Sequence, residues 1–149
     1  MFEALFSNRI RLCASGIIVM AVILCGQPAI GPAWAGPADV DSLSALGRNF
    51  EDAERQSVSG DPSAARALTG SVAALRQSGL PDEREGAAWM LQGRLLMLLD
   101  DAEGAAKAFD QSRRKFDDEH LEAAAEFLRV EALEMQGDDE EAAKRWSKW

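Results

Sequence analysis

The chain has 149 residues, a formal net charge of −9, two cysteines and one histidine. That balance repels nucleic acid and anionic lipid surfaces at range, and no basic, aromatic-rich stretch offsets it. Both cysteines, Cys13 and Cys25, lie near the start, so the rest of the chain must be held by core packing rather than disulfides.

Arg9 and Arg11 precede an uncharged apolar run from Leu12 to Leu24, which Gly26-Gln27-Pro28 ends. Ala33 and Ala35 then stand at −3 and −1 before Gly36. A basic start, a short apolar segment, a breaker and small residues at those positions have the form of a cleaved secretory signal peptide, 1–35. The run falls short of the roughly 18 apolar residues that a membrane-spanning helix requires. The predicted location is periplasmic or secreted, with no membrane span after cleavage. The alternative is a lipoprotein acylated at Cys25, although Leu24 is bulky where a small residue is expected.

Residues 36–41 read as a flexible lead-in, and 42–149 as a helical domain. The latter is rich in Ala, Leu, Glu and Arg, and the whole chain has no Tyr, a composition that favours helix over strand. Breakers at Ser59-Gly60-Asp61-Pro62, Ser78-Gly79-Leu80-Pro81, Asp100-Asp101, Asp117-Asp118 and Gly137-Asp138 divide it into six predicted helices. These are 41–58, 62–77, 82–99, 102–115, 118–136 and 140–149. Leu43, Leu46, Phe50 and Ala53 form the apolar stripe of the first, and Ala65, Leu68, Val72 and Leu75 that of the second. The third is apolar nearly all round, which requires cover on more than one side and places it mid-stack. The fold class is all-α, built of about three antiparallel helix hairpins.

Trp89-x2-Gln92-Gly93-x2-Leu96 followed by Ala105-x3-Phe109 resembles the tetratricopeptide repeat. Gln136-Gly137-Asp138, Ala142 and Trp146 resemble part of a further unit 37 residues on. Small residues at Gly93 and Ala105 let two helices approach, and large ones fill the space between them. The departures are Gln92 and Arg129 in place of Leu, Glu126 in place of an aromatic, and Val130 in place of a small residue. In the first pair, Leu46-Gly47 and Gly60-Asp61 imply conflicting registers.

The resemblance implies a concave face lined by the first helix of each pair, gripping a protein or peptide partner. By position it takes Ala87, Met90, Arg94 and Met97 from one unit and Ala124, Phe127, Glu131 and Glu134 from the next. Methionines adapt to varied partners; the competing reading is that Met90, Met97 and Phe127 are ordinary core. The lysine-and-asparagine clamp by which some members hold a terminal carboxylate is absent. An alternative role is structural, with the stack edges self-associating or the chain tethered by lipid; Trp146 is expected to pack on the fifth helix, and Trp149 to fold back as a cap, the alternative being an apolar contact to another subunit.

Residues beyond the leader offer no cysteine nucleophile and no glycine-rich phosphate loop. His120 follows Asp117-Asp118-Glu119, but neighbours on a helix fan out and do not converge on one ion. That run reads as a helix N-cap with acidic first-turn residues. Neither cofactor, metal nor catalytic residues are expected, and the chain is not expected to be an enzyme.

Overall fold

The structure is a computed structural model that describes residues 37–148, with side chains described from Ser42. The chain divides into two units, Met1–Ala33 and Trp34–Trp149, and every described residue belongs to the second. The signal-peptide reading, with Ala33, Ala35 and Cys25, lies outside the described residues, as does Trp149.

Six helices and no strands occur among the described residues: α1 (Pro37–Val58), α2 (Ser63–Gln77), α3 (Asp82–Leu98), α4 (Ala102–Arg113), α5 (Glu119–Gln136) and α6 (Asp139–Trp146). Each helix packs on the next in sequence, and α3 also touches α1. The breakers fall where predicted, with ends shifted by a few residues. The largest shift is at the start, because α1 runs from Pro37 and takes in most of the expected lead-in. Proline suits a first helical turn, where its missing N–H has no partner to lose.

The stripes of α1 and α2 meet α3 in one core of Phe50, Ala53, Ala65, Val72, Leu80, Ala88, Leu91 and Leu95. Leu43, Leu46, Leu68 and Leu75 pack against its margin. Helix α3 buries residues on every side, among them Gly86, Ala88, Met90, Leu91, Gly93, Arg94, Leu95 and Met97. It is the central rod, as its all-round apolar pattern required.

Three turns follow one design. Gly60, Asp100 and Gly137 all have positive φ, at 96°, 60° and 84°. The next residue in each case, Asp61, Asp101 or Asp138, sends its N–H back to a helix carbonyl, on Gln56, Leu96 and Leu133 respectively. Its carboxylate then accepts a backbone N–H of the following helix, from Ser63, Gly104 and Glu141. The last two turns are 37 positions apart and the first two 40. This settles the register of the first pair: Gly60-Asp61 is the counterpart of Asp100-Asp101, and Leu46-Gly47 is not part of the pattern. By that register Ala53, Gly93 and Val130 correspond, as do Glu54, Arg94 and Glu131.

At Gly93 an aromatic side chain of α4 lies directly against α3. A Cβ there would lie 2.6 Å from the Phe109 ring, so no side chain fits without moving the ring. Ala105 is fully buried, as is Phe109. One turn further along α4 the buried Ser112 hydroxyl donates to the Gly86 carbonyl at 2.8 Å, joining α4 to α3 through a satisfied polar contact.

Candidate partner-binding face

The first helix of each hairpin contributes one charged residue at a common position: Glu54 on α1, Arg94 on α3 and Glu131 on α5. Arg94 is only 7% exposed, an unusual place for a guanidinium unless it is paired. Its guanidinium carbon lies 4.1 Å from the centroid of the Phe50 ring, a cation–π contact strengthened by exclusion of water. Its Nη2 is 4.0 Å from the Glu54 carboxylate, beyond hydrogen-bond reach. Its Nη1 is buried with no hydrogen-bond partner.

Burial lowers the pKa of Arg94 from its usual value, while the charges of Glu54 and then Glu131 act against that. For Glu54 the order is burial first, which raises its pKa; Arg94 lowers it and Glu51 raises it. Arg94 of α3 thus sits in the field of carboxylates on both α1 and α5.

Of the eight residues assigned to the face from sequence, Met90, Arg94 and Met97 are buried. Ala87, Ala124, Phe127 and Glu131 are half-buried, and Glu134 is exposed. The Phe127 ring meets Trp146 edge-on, with centroids 5.4 Å apart, and Trp146 Nε1 donates to the Glu134 carboxylate at 2.9 Å. Trp146 packs on α5, as expected. Arg94 and Glu131 come together electrostatically, whereas Phe127 and Glu134 are held by the chain's own last helix. Sequence reasoning did not assign Glu54 and Phe50 to this row. The signal for them was the turn at Gly60-Asp61, which puts Glu54 in register with Arg94.

A second cluster joins the outer helices. The Glu126 carboxylate meets Arg145 at 2.6 Å, Arg113 at 3.6 Å and Arg129 at 3.6 Å. Asp110 meets Arg114 at 2.6 Å and Arg129 at 3.1 Å, and Glu141 meets Arg145 at 2.9 Å. Glu126 and Arg129, two departures from the repeat pattern, are thus partners in one network. The matching place in the preceding unit is also polar: Arg76 lies over the Trp89 ring and donates to Gln92. Beside the network a cleft of about 440 Å³ is lined by Arg113, Glu119, Glu122, Ala123, Glu126, Arg145 and Lys148.

His120 is exposed. The Asp118 carboxylate accepts the N–H groups of His120 and Leu121, the N-cap arrangement read from sequence. No group of three potential metal ligands occurs among the described residues, and none of their helices is long and apolar enough to cross a membrane.

No known protein family, curated protein or solved structure matches the chain.

Proposed function

We propose that the chain is an exported protein-interaction module of tetratricopeptide-like helix pairs, acting as an assembly scaffold in a periplasmic or secreted setting. Partners are held along the row of first helices, and the role is binding rather than catalysis. The observation that carries this reading is Arg94: a buried cation at the centre of the row, with Nη1 lacking an acceptor. A buried donor left unsatisfied costs on the order of 1–3 kcal/mol, and a partner that draws the guanidinium outward onto its own carbonyl or carboxylate would recover it. The shared turn design supports a repeat architecture, whose common use of stacked units is an extended binding surface.

The test is photo-crosslinking in intact envelopes from a benzophenone residue at Ala87 or Ala124, with exposed Ala143 of α6 as the control position. Discrete adducts are expected from the first two positions only. Replacing a buried ion by an apolar residue of similar volume is often tolerated, so Arg94→Met is expected to fold and to abolish the adducts. Adducts that persist in Arg94→Met, or that arise equally from Ala143, would sink the reading. Export is tested by the mass of the mature chain, which should begin at Gly36 and carry no lipid.

A further inference from the structure

Helix α6 sets an aromatic ring on the face that the first helices form. In the preceding hairpin the matching aromatic, Phe109, is buried against Gly93 inside the pair. Shifted by 37 positions, those two residues become Trp146 and Val130. Val130 is fully buried, and its branched side chain takes the room that glycine leaves to a ring. Trp146 goes instead to Phe127 and Glu134, both assigned to the partner-binding face. Its ring meets Phe127 edge-on at 5.4 Å, and its Nε1 donates to the Glu134 carboxylate at 2.9 Å.

Phe127, Glu131 and Glu134 stand at i, i+4 and i+7, one stripe of α5. Glu131, between the two residues that hold Trp146, is the carboxylate that acts on Arg94 from this side. The indole therefore rests on the same stripe that faces the buried cation. It is lightly held there: Trp146 and Phe127 are half-buried and Glu134 is exposed. Of α6 itself only Ala142 is buried, and Arg145 ties the helix to α5 through the charge of Glu126. A group seated at a half-open place by one ring edge and one hydrogen bond exchanges readily with a like group, because the newcomer remakes both contacts. The seat also specifies the newcomer, since an aromatic body on Phe127 with a ring N–H reaching Glu134 is what tryptophan supplies.

We propose that Trp146 is a built-in occupant of the α5 end of the partner-binding face, and that a partner protein docks there by placing a tryptophan of its own on Phe127 and Glu134. Helix α6 then acts as an internal competitor that keeps this end of the face closed until such a partner displaces the indole. The inference rests on the reading of that face as a protein-binding surface.

The probe is N-acetyl-tryptophanamide, titrated into the full ¹⁵N-labelled chain and followed through backbone amide resonances. In Trp146→Ala the resonances of Phe127, Glu131 and Glu134 should shift and saturate in the millimolar range. The native chain should bind about tenfold more weakly, because the seat is open only in the fraction of molecules that Trp146 has left. Trp146→Phe, which keeps a ring on Phe127 and drops the donor, should fall between the two and keeps the test valid should Trp146→Ala fold poorly. Replacing the probe with N-acetyl-phenylalaninamide should weaken binding by about fivefold, the scale of one hydrogen bond at a solvated site. Glu134→Gln in the Trp146→Ala chain should do the same. In envelopes, adducts from a benzophenone residue at Ala124 should increase in Trp146→Ala. The proposal is overturned if neither variant binds the probe better than the native chain, if the two probes bind equally, or if adducts that form at Ala124 do not increase. It is also overturned if the native chain sediments as a dimer that Trp146→Ala dissolves, since the seat would then belong to α6 of a second copy. Saturable probe binding with no adducts from either chain would instead fault the scaffold reading and leave the seat as assigned.

Discussion

In the hairpin α3–α4, the aromatic of the second helix lies against the backbone of the first, with Phe109 fully buried over Gly93. In α5–α6 the matching residues are Trp146 and Val130. Val130 is also fully buried, and its branched side chain denies Trp146 the place that Phe109 takes. Trp146 instead turns to the flank, against Phe127 and Glu134. The interlock missing from the centre is replaced at the rim by the arginine and carboxylate network around Glu126. Two hairpins with the same turn therefore differ at their closest approach: one interlocks an aromatic ring over glycine, and the other is joined at its rim, together with the end of α4, by charge. Small changes at the closest approach decide which force is needed.

The sharpest break of that comparison is Phe109→Ala. It should destabilise the fold by about 3–5 kcal/mol through lost burial and an unfilled cavity, seen as a large fall in the helical melting temperature. Trp146→Ala, at a partly exposed site, should cost much less. Gly93→Val, which writes the residue of the third unit into the second, should cost about 1–3 kcal/mol by overpacking. Equal losses from Phe109→Ala and Trp146→Ala would mean that the two hairpins do not differ as described.

The charged hairpin is probed next. Glu126→Gln removes the carboxylate shared by Arg113, Arg129 and Arg145 and leaves three cations without their common partner. The network is only partly exposed, so a loss of about 1–2 kcal/mol is expected, above the value of a single solvated pair and below that of a fully buried one. Hydrogen exchange separates the hairpins within one molecule. Raising the salt from about 0.05 to about 1 M, through the range where screening sets in, should speed exchange in α5, α6 and the end of α4, where the network lies, and leave the middle of α3 nearly unchanged. Uniform acceleration across all four helices would remove charge as the distinction.

How much of this was legible in the sequence follows from how local each feature is. The helices and their turns rest on signals a few residues long: Gly or Asp at the positive-φ position, Asp at the next, apolar residues at helical spacing. Those were readable. The register of the first pair was not, because Leu46-Gly47 mimics the pattern and only the turn geometry at Gly60 decides against it. The start of α1 at Pro37 was also missed, since a proline after a glycine reads as a breaker. In the candidate face, the placement of Met90 and Met97 depends on what surrounds α3, which no window along the chain contains. The Glu126 network was visible only as a set of misfits; its logic is that several misfits, brought together by folding, satisfy one another.

A smaller effect comes from the turns. Asp100 holds a φ of 60° where Gly137 holds 84°, and a non-glycine residue in the left-handed region carries strain that glycine avoids. Asp100→Gly should therefore stabilise the chain by about 0.5–1 kcal/mol, net of the greater freedom that glycine has when unfolded. Gly137→Ala should destabilise by a similar amount. Chemical denaturation of both variants is the measurement, and a fall in stability for Asp100→Gly would show that the aspartate side chain outweighs its backbone strain.

The smallest effect concerns the lysine that closes the α3–α4 hairpin. Hydrogen bonds to Asp82 and Glu85 raise the Lys115 pKa from 10.5 to about 12. A lysine whose folded pKa exceeds its unfolded value binds its proton more tightly in the native state, so its contribution is complete below pH 10.5 and disappears as pH rises through 12. The native chain should therefore lose melting temperature over that interval more steeply than Lys115→Gln, which has no proton there to lose. The difference should be slight, because the pair is solvated. It should also be confined to exchange protection at the start of α3 and the end of α4, leaving α5 and α6 untouched. Parallel slopes for the two proteins would mean that Lys115 does not bridge Asp82 and Glu85 in solution.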